Sequence, residues 1–304
     1  MMTTKNRQTA GFACIMTTAL AFSTMEIAGK TIAEQINPFQ MTLIRFLIGG
    51  LFLLPFAWRE LRRRNLKLTG SDIGFFFLTG AVGVGISMSF FQLAIKETGA
   101  AIVAVIFSTN PIFTIPLAAL LLKERLTPAR IIAFCVSIVG IVLIFNPFSV
   151  TADLRGILLA LAAAITFSLY TVIGRTRLER YGGLVLNSFS FLAGCLMLLI
   201  VLLFFRLPVL AGITAQNAPT LLYLGVFVTG IGYLCYFSAM KYTSVITAST
   251  VFFIKPALAP ILALIILDEK IRPLMAAGIF LIIVAAGFLF WGERKSVQKK
   301  ESAK

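Results

Sequence analysis

Three ionisable residues, Glu26, Arg45 and Lys255, lie inside otherwise apolar stretches. A charge near a bilayer midplane costs about 3 kcal/mol on insertion scales, and no lipid-facing helix requires one. Lys255 sits in the stretch from Thr243 to Leu267 with Pro256 and Pro260, so it is expected to face protein or water. Its chemistry suits a carboxylate or a phosphate on a substrate, and a structural lysine satisfied by broken-helix carbonyls or paired with Glu26 is also an open reading. Asn110, Tyr236 and Gln92 complete the candidate substrate-binding set, with Thr114, Tyr170 and Tyr233 as further polar or aromatic neighbours. Glu26 and Lys30 are four residues apart, the favourable order for an intrahelical pair. Arg45 follows the turn at 35–37 by about the distance at which Glu26 precedes it. At ~1.5 Å per residue both lie on the order of 10 Å from that turn. Glu26, Arg45 and Lys30 are therefore candidates for gating or coupling. A proton- or substrate-responsive gate and a purely structural ion pair are both open readings of them.

Other chemistries find no residues. The chain has no histidine, and Cys14, Cys135, Cys195 and Cys235 are widely separated without metal-site spacing. No close acidic pair lies inside an apolar stretch, so neither a catalytic role nor a metal or cofactor is expected. Gly80, Gly83 and Gly85, with Gly225, Gly230 and Gly232, lie within apolar segments and lack a following GK[ST]. They read as close helix packing and not as a phosphate loop. An ATP-driven pump is excluded on the same ground, unless another chain supplies the nucleotide site.

The elements that must position these residues are long apolar runs. Of the 304 residues 59% are hydrophobic, and mean hydropathy is +0.96. A helix needs about 20 apolar residues to cross the hydrocarbon core. Ten such runs occur, at about 10–33, 38–58, 72–95, 98–122, 127–147, 154–175, 183–205, 219–240, 243–267 and 271–291. The first is too long for a signal-peptide core, carries Glu26 and Lys30, and reads as a transmembrane helix. The net charge of +15 is explained by topology. With ten crossings, 19 of the 27 Lys and Arg residues fall on one side and six on the other, with Arg45 and Lys255 inside runs. The positive-inside rule then places both termini in the cytoplasm and removes the case for nucleic-acid binding.

The two halves align at an offset of 145 residues without a gap. Gly11 meets Gly156, Phe22 meets Phe167, Ser23 meets Ser168, Phe46 meets Phe191, Gly49 meets Gly194, Gly80 meets Gly225 and Pro111 meets Pro256. Glu124 meets Glu269, and Pro128 meets Pro273. The two acids read as structural groups near positive helix ends. Pro111, Pro116, Pro256 and Pro260 are expected to interrupt the fourth and ninth helices, which then wall a cavity. Each repeat holds an odd number of crossings, so the halves must run in opposite directions. Inverted repeats of this sort are a recurrent architecture of secondary transporters, with the site near the midplane between them. Glu26, Arg45 and Lys255 align with Thr171, Ser190 and Asn110 in the other half. Charges in one half only are better functional candidates than residues the duplication keeps.

The duplicated five-helix unit, Lys30, Pro38 and Arg45, the Pro111–Glu124–Pro128 spacing and its echo Pro256–Glu269–Pro273 resemble the EamA-like ten-helix permeases of the drug/metabolite transporter superfamily. The resemblance covers essentially the whole chain. It implies an all-α integral membrane fold of ten transmembrane helices in two inverted five-helix repeats, 1–147 and 153–292, followed by a basic cytoplasmic tail, 293–304. It further implies alternating access around a central cavity, often for export of amino acids, metabolites or drugs, in a bacterial inner membrane. The expected partners are a small-molecule substrate and the lipid bilayer, and a homodimer is allowed. A multidrug or cation exporter and a lipid flippase are alternatives on the same fold.

Overall fold

The computed structural model describes residues 4–32, 35–98, 100–124, 126–145, 153–267 and 273–301, and all the regular structure among them is helical. The first half comprises α1 (Thr4–Lys30), α2 (Pro38–Arg63), α3 (Gly70–Gly80), a π-helix π1 (Ala81–Ser87), α4 (Met88–Thr98), α5 (Ala100–Ser108), α6 (Asn110–Leu122) and α7 (Pro128–Phe145). The second repeats the series as α8 (Leu154–Thr176), α9 (Leu178–Phe204), α10 (Ala218–Tyr223), π2 (Leu224–Gly232), α11 (Tyr233–Tyr242), α12 (Val245–Ser249), α13 (Val251–Leu267) and α14 (Pro273–Glu301). Six helical segments among the described residues are long and apolar enough to cross a membrane, and three shorter apolar helices accompany them. Large side chains such as Leu120, Phe204 and Phe280 stand exposed on the outer surface, an arrangement suited to lipid and not to water.

Local signals start the helices. Asn37 Oδ1 accepts from Phe39 N at 3.0 Å, directly ahead of Pro38 at the first turn of α2, where no N–H is needed. Asp153 caps α8 in the same way through Arg155 N at 2.9 Å. At the start of α3, Asp72 Oδ2 accepts from both the amide and the hydroxyl of Thr69, each at 2.9 Å.

The two halves interlock. α1 packs on α11 and α13 of the second half, and α8 packs on α4 and α6 of the first. α2 lies against its own counterpart α9, and α7 against α14. Glycines allow the closest approaches, and these also come in offset-related pairs. A Cβ on Gly80 would lie 2.4 Å from Ser190 O, and one on Gly194 would lie 2.7 Å from Gly80 O. A Cβ on Gly225 would lie 2.5 Å from the Ile48 Cβ, and one on Gly49 2.9 Å from Gly225 O. The packing role expected for Gly80, Gly83 and Gly225 is thus seen directly, Gly83 lying under the Tyr170 ring.

Two features depart from the sequence reading. The runs at 72–95 and 219–240 are not uniform α-helices, because each contains a π-helical stretch, in which Thr229 Oγ1 reaches back five residues to Leu224 O at 2.8 Å. The breaks in the fourth and ninth runs also fall elsewhere than on the prolines. The first is at Thr109, just before Asn110 and Pro111, so Pro111 occupies a first-turn position where its missing N–H costs nothing. The second is at Thr250, six residues before Pro256. There the hydroxyls of Ser249 and Thr250 bond back to Ile246 O and Thr247 O, in competition with the backbone ladder.

Glu124 accepts from Val245 N at 2.9 Å and from Ile246 N at 3.3 Å. It therefore caps α12 in the opposite half, the helix-end role expected of it. Its counterpart Glu269 lies outside the described residues.

Candidate transport site

At the centre of the bundle the first half contributes Phe22 and Met25 from α1, Met88 and Phe91 from α4 and Phe107 from α5 to a cavity. The second half contributes Phe167, Tyr233, Phe252 and Lys255. The space among these side chains is about 10 Å³, room for about one water molecule, so the cavity is contracted and far smaller than a small-ligand pocket. Three lining pairs are related by the offset: Phe22 with Phe167, Phe107 with Phe252, and Met88 with Tyr233. The cavity thus lies where equivalent parts of the two halves meet. The rings pack edge to face, Phe107 on Phe167 at 5.3 Å and Phe167 on Phe252 at 5.4 Å between centroids.

Lys255 lies one turn beyond Phe252 on α13, is 4% exposed, and lines this cavity. Its carbonyl accepts from Ser23 Oγ at 3.3 Å. The offset partner of that contact, Ser168 Oγ to Asn110 O at 3.2 Å, is also present. The two halves thus share one scaffold at this point but carry a lysine in one and an asparagine in the other.

Asn110 is fully buried, and its amide bridges α6 to α8. Nδ2 donates to Ala164 O at 2.9 Å and to Ser168 Oγ at 2.7 Å, and Oδ1 accepts from Thr114 Oγ1 at 2.9 Å. It is held away from the cavity wall. Gln92 is buried beside Phe91 on α4, also behind the lining. Tyr236 forms a second aromatic layer, its ring 5.7 Å from Phe252 and 6.2 Å from Phe167.

Arg45 is 2% exposed. Its Nη1 donates to Met25 Sδ at 2.7 Å and its Nη2 to Met88 Sδ at 3.1 Å, and its guanidinium stands 4.9 Å from the Phe46 ring centre. It thus sits directly behind two cavity-lining thioethers, which are weak acceptors. Glu26 and Lys30 lie in the last turns of α1, and their side chains fall outside the described structure.

The sequence reading did not single out Met25, Met88, Phe91 or Phe107. The offset pairs Phe22/Phe167 and Phe107/Phe252 were the signal that could have found this wall. Toward the basic end of the bundle, where α2, α8 and α11 carry Arg62, Arg175 and Lys241, the Tyr170 hydroxyl is buried without a hydrogen-bond partner, and the hydroxyls of Thr171 and Tyr236 are buried beside each other. A buried hydroxyl without a partner is rare in folded proteins and calls for a function or for water.

The sequence matches the EamA-like transporter family twice, over residues 9–146 and 154–291. An uncharacterized transporter of Clostridium kluyveri is 45% identical over 96% of this chain and 97% of its own length. The uncharacterized transporter YdfC of Bacillus subtilis is 28% identical over 78% of this chain and 76% of its own. Protein PagO of Salmonella typhimurium is 26% identical over 80% of this chain and 81% of its own. A crystal structure 20% identical in sequence superposes with a TM-score of 0.79 over 94% of this chain and 98% of that one, a likeness of fold. The chain therefore belongs to the EamA-like transporter family and is a multi-pass membrane transporter.

Proposed function

We propose that this chain is a secondary transporter that exports small metabolites bearing an anionic group, such as amino acids or organic acids. It has ten crossings in two inverted repeats, 1–147 and 153–292, and works by alternating access. The observation that carries the reading is the central cavity between equivalent elements of the two halves, with Lys255 on its wall and Arg45 behind Met25 and Met88. A carboxylate entering the cavity would meet Lys255, and the guanidinium could exchange a thioether for a stronger, ionised acceptor. The substrate's apolar body would lie among Phe22, Phe107, Phe167 and Phe252. Tyr236 and the other buried hydroxyls on the basic side offer partners to its remaining polar groups. Asn110 and Gln92 support this site from behind. Glu26, Arg45 and Lys30 are assigned to gating or coupling, and the positive-inside rule puts both termini in the cytoplasm.

One observation favours a second reading. A cavity lined largely by aromatic rings also suits a lipophilic cation, although Lys255 on its wall and Arg45 behind it oppose that. Counterflow in proteoliposomes with labelled amino acids, organic acids and a lipophilic cation separates the two. Accumulation of an anionic or zwitterionic substrate supports the first reading, and accumulation of the cation alone replaces it with the second.

A further inference from the structure

Each end of the bundle carries one contact between the halves that repeats at the other end with different chemistry. At the basic end Asp72, at the start of α3, accepts from Arg180 Nη2 at 2.8 Å. At the opposite end Asn217, at the start of α10, donates from Nδ2 to Gln35 Oε1 at 2.8 Å. Asp72 and Asn217 are offset partners, and so are Arg180 and Gln35. The local frame is conserved between them. Thr69 N donates to Asp72 at 2.9 Å, and Thr214 N, from the offset partner of Thr69, donates to Asn217 Oδ1 at 2.9 Å. The halves thus close on each other twice through one geometry, with an ion pair at one end and an amide pair at the other.

We propose that these are the two latches of the transport cycle, one opening while the other holds, and that their unequal chemistry biases the empty protein toward opening at the end opposite the basic one. This deepens the transporter reading above and rests on it. The neighbouring contacts carry the same asymmetry. At the basic end Asp72 also accepts from Arg177 Nη1 at 3.4 Å and from the Tyr181 hydroxyl, and Arg64 Nη1 donates to Glu179 O at 3.2 Å. Glu124 caps α12 across the halves at that end too. At the other end the contacts among the described residues are between neutral groups. Gln40 Nε2 donates to Ala211 O at 2.7 Å, and the hydroxyls of Thr24 and Tyr223 meet at 2.6 Å. Charge-assisted hydrogen bonds are stronger than neutral ones, so the basic end is the harder to open. Both latches are closed in this structure, in keeping with the contracted cavity.

Asp72→Asn tests the bias while keeping the local bond from Thr69 N, because an asparagine, Asn217, accepts from Thr214 N in the same geometry at the other end. The measurement uses protein lacking the four native cysteines and carrying Thr171→Cys. Thr171 is fully buried on the basic side of the cavity, and its labelling by a membrane-impermeant thiol reagent is followed from the basic face. Asp72→Asn should raise the labelling rate by roughly three- to tenfold, a modest figure because Arg180 is half exposed. The reciprocal arm replaces Asp72 and Arg180, or Gln35 and Asn217, with cysteine pairs bridged by a reducible bifunctional reagent. Bridging either pair should abolish counterflow, and reduction should restore it. Undiminished counterflow through either bridged protein, or an unchanged labelling rate in Asp72→Asn, would overturn the latch assignment. If the unmodified protein shows no counterflow, the transporter reading fails instead, and the labelling comparison still decides whether the basic-end contact closes the cavity.

Discussion

The contact between α3 and α9 makes a quantitative prediction. In Gly80→Ala the new Cβ would sit 2.4 Å from Ser190 O and 2.5 Å from Gly194 N. Both obstacles are backbone atoms, so no side chain can swing away. Ordinary contact begins near 3.4 Å, so the helices must part by roughly 1 Å, which would also stretch the Thr79–Ser190 hydrogen bond of 2.7 Å. Overpacking of this kind costs about 1–3 kcal/mol. For a chain of this size each kcal/mol shifts the unfolding midpoint by about 2–4 °C, so a fall of roughly 2–12 °C is expected. Gly74→Ala on the same helix is the control. Nothing lies within 4 Å of its Cβ, and alanine is the better helix former by about 0.5–1 kcal/mol. The assay is fluorescence-detected size exclusion after stepped heating in detergent, at one heating rate because unfolding of such proteins is often irreversible. A Gly80→Ala midpoint within about 1 °C of the Gly74→Ala midpoint would show that the two backbones do not approach this closely.

Asn110→Ala should lower the same midpoint by an amount corresponding to about 1–3 kcal/mol, because Ser168 and Thr114 lose buried partners. It should leave the order of substrate preference intact, since the amide bridges helices and does not line the cavity. A changed preference with unchanged stability would move Asn110 into the site. Glu26→Gln should flatten the dependence of transport on pH if Glu26 couples protons. Transport with unaltered rate and pH dependence in that variant would remove Glu26 from the gate.

The elements legible in the sequence are those fixed by type and period. Long apolar runs gave the helices, and the 145-residue offset predicted that Gly80 and Gly225 would mark equivalent close contacts. Lys255 stood out because a lysine inside an apolar run is expensive, and the structure places it on the cavity wall. The residues that escaped notice are ordinary ones given meaning by position. Met25 and Met88 are ordinary apolar residues in sequence, and only the fold shows that they separate Arg45 from the cavity. The π-helical stretches depend on small shifts in the hydrogen-bond ladder that glycine content alone does not fix. Asn110, expected as a polar neighbour of Lys255, is held instead by Ser168 and Ala164, because a buried amide in a helix-breaking segment finds the nearest acceptors first. The Asp72–Arg180 contact joins residues 108 apart in sequence, a pairing that no local pattern encodes.

The most direct test of the central claim is counterflow in proteoliposomes with the wild-type protein and Lys255→Ala. The account predicts accumulation of an amino acid or organic acid by the wild type and its loss in Lys255→Ala, with the variant's midpoint of unfolding retained. Undiminished accumulation of the same acid by Lys255→Ala would contradict it, because the one cation on the cavity wall among the described residues would then have no part in holding the substrate.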